Sequence, residues 1–139
     1  MAEQTEATRE PVLMTLSAPA RRNVVDGLVR DVGMSGHAVP ILDLDARDAE
    51  IADFLAGIAH ADSGFVARTS SGASALAVIA GTAAALCGED IRAALSNPDI
   101  AFLNALKPPA VEAVRSVLLA IETEAATQVT AALSALTGS

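Results

Sequence analysis

The chain has 139 residues, 52% of them hydrophobic and 2% aromatic, with a net charge of −8. This is one domain's worth of chain, too apolar for a disordered segment. It is too acidic to hold a phosphate backbone or an anionic membrane, and too poor in rings to stack bases. The apolar content is Ala, Leu, Val and Ile, with only Phe54, Phe65 and Phe102 as aromatics. Alanine favours helix but buries little area, so a core made with it needs close backbones or cover from another subunit.

Residues 1–11 are polar and acidic, end in Pro11, and read as a mobile tail ahead of a single helical domain over 12–139. Val12-Leu13-Met14-Thr15-Leu16 is a short apolar run. Ser17 then reads as an N-cap, with a first helix running to about Val32 on Val24, Val25, Leu28, Val29 and Val32, and Gly33 as its stop. A loop over Met34–Pro40 carries Gly36 and His37, and 39–44 reads as a short extended piece that Pro40 would confine to an edge.

Asp45 caps an expected second helix over about 46–61, with Ile51, Phe54, Leu55 and Ile58 as its apolar stripe. Acidic residues crowd this region. Asp43, Asp45, Asp48, Glu50, Asp53 and Asp62 face only Arg47, a surface that suits a basic protein partner. Phe65-Val66-Ala67 could form another extended piece. The third helix, about 70–87, is small or apolar on every face and so should be central, with Gly88 ending it. Thr69–Gly88 carries no charge over nearly a membrane's span, but its Ser, Thr, Gly and Ala content fits a buried core helix better.

Glu89-Asp90 open a short helix to about Leu95, and Asn97-Pro98-Asp99 open another with Ile100, Phe102, Leu103 and Leu106 inward. Lys107-Pro108-Pro109 breaks that helix. The last helix is expected over about 109–136, the longest in the chain. Its three- and four-residue spacing assigns Val111, Val114, Leu118, Ile121, Val129 and Leu136 to a self-association surface.

The expected fold is therefore mainly α, an antiparallel bundle of about five or six helices around a small-residue-rich central one. The alternative is α+β, with 12–16, 39–44 and 64–68 pairing as a small edge sheet.

Chemical motifs are sparse. No glycine pattern makes a phosphate loop. Asp43 and Asp45 begin a calcium-loop spacing, but Arg47 and Phe54 stand where the third ligand and closing Glu belong. His37, His60 and Cys87 lie in separate segments, so no metal site and no cofactor is expected. Cys87 reads as a small core residue. Arg68 ahead of Ser70, Ser71 and Gly72 could place a charge and hydroxyls at a helix start, and with His37 these form the candidate ligand site.

The function these features favour is a non-enzymatic interaction, assembly or regulatory protein that forms a homo-oligomer. One alternative is a small-molecule-binding or catalytic oligomer using His37, Arg68, Ser70 and Ser71; another is a membrane-associated subunit. The acidic start and lone cysteine point to the cytoplasm.

Overall fold

The computed structural model describes residues 24–25, 27–33, 39–61 and 63–136. In chain order these form β1 (Val29–Asp31), β2 (Ile41–Asp43), α1 (Asp48–Ile58), β3 (Phe65–Arg68), α2 (Gly72–Cys87) and α3 (Ile91–Ser96). They continue through α4 (Ile100–Asn104), α5 (Pro108–Val117), β4 (Leu118–Thr123), α6 (Ala126–Leu133) and a 3-10 turn over Ser134–Leu136.

The four strands make one parallel sheet in the order β1-β4-β3-β2. This is an α/β fold, which corrects the expected helical bundle. The α+β alternative is nearer, since 39–44 and 64–68 do supply β2 and β3, which pair with each other. The run 12–16, the tail 1–11 and His37 lie outside the described residues.

Two expected helices are corrected where the described residues reach them. Val29–Asp31 at the end of the first one is an edge strand. The long helix 109–136 is three elements, with α5 passing into β4 at Val117–Leu118 without a loop. A strand buried on both faces shows no alternation of polar and apolar residues. In β4, Leu118, Ala120, Ile121, Glu122 and Thr123 are all buried, so its apolar residues can mimic helical spacing.

The helix α2 runs where it was expected. The Ser71 hydroxyl accepts the Ser74 N–H at 3.2 Å, and Gly88 closes the other end with φ of 73°. It packs against α1, α3, α5 and α6. Its small residues permit this: a Cβ on Gly81 would lie 2.8 Å from Leu95 and 2.9 Å from Leu55, and one on Gly72 would collide with Ala132 of α6.

The main core gathers Leu28, Leu55, Phe65, Ile79, Leu118 and Ile121, with Phe54 set edge-on to Phe65 at 5.2 Å between ring centres. The six residues expected to carry self-association, Val111, Val114, Leu118, Ile121, Val129 and Leu136, are 0–2% exposed within this chain. The helical seam on which that surface depended does not exist; oligomeric state is a separate property. Cys87 is exposed at the end of α2, not in the core. Phe102, expected inward, is 39% exposed. No helix among the described residues is long and apolar enough to cross a membrane.

Candidate functional site

Because every strand of the sheet is parallel, all four carboxyl ends open on the same edge. In open α/β sheets that edge is where ligands bind, since the loops leaving it are free of the sheet's own pairing. Here it holds Val32 after β1, Asp43 and Asp45 after β2, Arg68, Thr69 and Ser70 after β3, and Thr123 and Glu124 after β4. Together these line an open cavity of about 280 Å³.

Local hydrogen bonds fix its walls. The Leu44 N–H donates to the Arg68 carbonyl at 3.0 Å and the Thr69 N–H to the Glu122 carbonyl at 3.1 Å, tying the three strand ends together. The Asp43 carboxylate accepts the Asp45 N–H at 2.9 Å. The hydroxyl oxygens of Thr69 and Thr123 accept the N–H groups of Ser71 and Ala125 at 3.0 and 2.9 Å. Each threonine is thus oriented through its lone pairs, while its O–H proton remains a donor.

One row of charges crosses the sheet beneath this edge. Strand register aligns Arg30 with Glu122, Glu122 with Arg68, and Arg68 with Asp43. Residues paired in register share a face of the sheet, so the four side chains alternate in sign across it. Within the row, Arg68 Nη2 donates to Glu122 Oε1 at 2.7 Å, with the Glu122 side chain 1% exposed and that of Arg68 42% exposed. The Nε of Arg68 is buried without a hydrogen-bond partner.

The site therefore differs from an anion cradle. The positive charge of Arg68 is matched by Glu122, and Ser71 caps α2 instead of facing the cavity. Asp43, Asp45 and Glu124 are exposed carboxylates on the lining. Acidic side chains thus outnumber basic ones on the lining, three to one. Among the described residues no group of three or more His, Cys, Asp or Glu side chains is placed to hold a metal.

Of the candidate ligand residues, Arg68 and Ser70 do reach the cavity. Sequence reasoning missed Asp43, Asp45, Thr123 and Glu124 as neighbours of Arg68 on the cavity lining, and Glu122 as its ion-pair partner. The available signal was positional: each polar group directly follows an apolar run, Ile41-Leu42 or Leu118–Ile121, as side chains at the carboxyl end of a buried strand do. In comparisons with protein-family models, curated proteins and solved structures, nothing matches this chain.

Proposed function

We propose that the chain is a small-molecule-binding α/β domain, and that its ligand is a small, hydroxyl-bearing cation such as an amino alcohol or amino sugar. The observation that carries this reading is the convergence of all four strand ends on one polar cavity. Ligand charge follows from the lining. Three exposed carboxylates outweigh one arginine already neutralised by Glu122, so a phosphate or carboxylate would be repelled and an ammonium group attracted. The hydroxyls of Thr69, Ser70 and Thr123 supply donors and acceptors for the ligand's own hydroxyl groups.

Thermal denaturation with a panel of amino sugars and amino alcohols, beside their phosphorylated and carboxylated analogues, tests it. Saturating cationic members should raise Tm, and Asp43→Asn with Asp45→Asn should remove the rise. A panel with no stabilising member, or one in which inorganic phosphate stabilises best, overturns it.

A further inference from the structure

A second cavity lies away from the sheet edge, beside the C-terminal half of α2. At about 480 Å³ it is larger than the first. Ala80 and Ala84 of α2 face Ala93 and Ala94 of α3 across it, and these small side chains leave the space between the helices unfilled. Phe102 of α4 stands on its wall, 39% exposed, one of four large apolar side chains in water among the described residues.

The acidic groups are on the rim. Glu89, Asp90 and Asp99 line the cavity, and no lysine or arginine does; Arg92, although on α3, is outside the lining. Asp90 and Asp99 are anchored there as N-caps, accepting the N–H groups of Ala93 and Phe102 at 3.1 and 3.0 Å. Their charges are thus held in place whether or not anything is bound.

We infer that this cleft is a docking groove for a basic amphipathic helix of another protein. No sheet edge lines the groove, so an added strand has nothing to pair with, whereas a channel between two helices accepts the ridge of a third. Apolar side chains at one-turn spacing would cover Ala80, Ala84 and Phe102, and flanking Lys or Arg would meet the acidic rim. A second copy of this chain is the poorer occupant, because two molecules of charge −8 repel each other.

Fluorescence anisotropy with a labelled synthetic helix, Leu at one-turn intervals and Lys on its other face, tests the inference on the whole chain at near-physiological salt. We expect micromolar binding. It should weaken at least about tenfold for Ala93→Arg, which blocks an exposed wall position, and for Glu89→Lys. A peptide of equal composition with the Leu positions shuffled, and one with Lys replaced by Glu, should each bind at least about tenfold more weakly.

Equal binding of the shuffled peptide, or indifference to Ala93→Arg, overturns the inference in favour of non-specific charge attraction. Absence of binding overturns it as well, as does a concentration-dependent dimer that Ala93→Arg dissolves. Asp43→Asn, at the other cavity, should leave peptide binding unchanged, so failure here is separable from failure of the small-molecule reading.

Discussion

Arg68 and Glu122 are 54 positions apart in sequence, yet the guanidinium of the first donates to the carboxylate of the second at 2.7 Å at the carboxyl edge of the sheet. The two ends of this pair stand in different surroundings. Glu122 is 1% exposed, while the Arg68 side chain reaches water over 42% of its surface. Removing either partner should therefore have unequal effects. Glu122→Gln leaves an arginine that can turn into solvent, at a cost of about 1–2 kcal/mol. Arg68→Met takes one partner from a carboxylate that is itself buried, and the expected cost is larger, about 2–3 kcal/mol once the partial exposure of Arg68 is allowed for. Urea denaturation gives both numbers, and the reverse order would contradict the described burial.

Two of the three tight glycines among the described residues, Gly64 and Gly81, should respond differently to alanine. A Cβ on Gly64 would lie 2.7 and 2.8 Å from the carbonyl oxygens of Val117 and Ser116, which are backbone and cannot move aside. The nearest atoms to a Cβ on Gly81 belong to the Leu95 and Leu55 side chains, which are flexible. Gly64→Ala should cost about 2–3 kcal/mol. Gly81→Ala should stay within about 1 kcal/mol, because the gain in helix propensity offsets the crowding. Gly81→Leu, which cannot be absorbed this way, should cost about 1–3 kcal/mol or more. Melting temperatures of the three variants check the order.

The status of 118–123 as a buried strand is open to a direct test. Ala120 is 0% exposed in the middle of the sheet, whereas Ala113 is exposed on α5. Lysine at 120 must bury an unpaired charge and should abolish cooperative unfolding, a loss above about 4 kcal/mol; lysine at 113 should change stability by less than about 0.5 kcal/mol. Hydrogen exchange gives a second reading: the Ile121 amide, which donates to the Leu28 carbonyl at 2.8 Å, should be among the slowest to exchange. Tolerance of Ala120→Lys would return this segment to a solvated helix.

Cys87 is the chain's only cysteine and is exposed, so the folded protein should take up one equivalent of a thiol reagent without denaturant. Cys87→Ser should leave stability within about 0.5 kcal/mol of wild type. Labelling that appears only on unfolding would place the thiol in the core after all.

How much of this could be read from the residues depends on the range of the forces involved. The ends of α2 were legible because capping is local: Ser71 reaches only to Ser74, and Gly88 needs only its own left-handed backbone. The stripe of α1 was legible as well, with Ile51, Leu55 and Ile58 buried along one side. Even there the cap shifted. Asp45 was expected to start the helix, but its N–H is held by the Asp43 carboxylate and the helix begins after Arg47.

Composition and local spacing thus determined that the chain buries one apolar core, and where its central helix begins and ends. They also made 39–44 and 64–68 candidates for extended structure. The tertiary structure alone decided that 29–31 and 118–123 are strands, that the sheet is parallel, and that Arg68 meets Glu122. The physical reason is that parallel strands are stabilised by partners far away in sequence and are buried on both faces. Leu118, Ala120 and Ile121 carry no polar alternation to betray the sheet, and their partners Phe65, Val66 and Ala67 lie across two intervening helical hairpins' worth of chain. The candidate site inherits that dependence. Asp43, Arg68 and Glu124 become neighbours only because three strands, each unremarkable alone, end on the same side of one sheet.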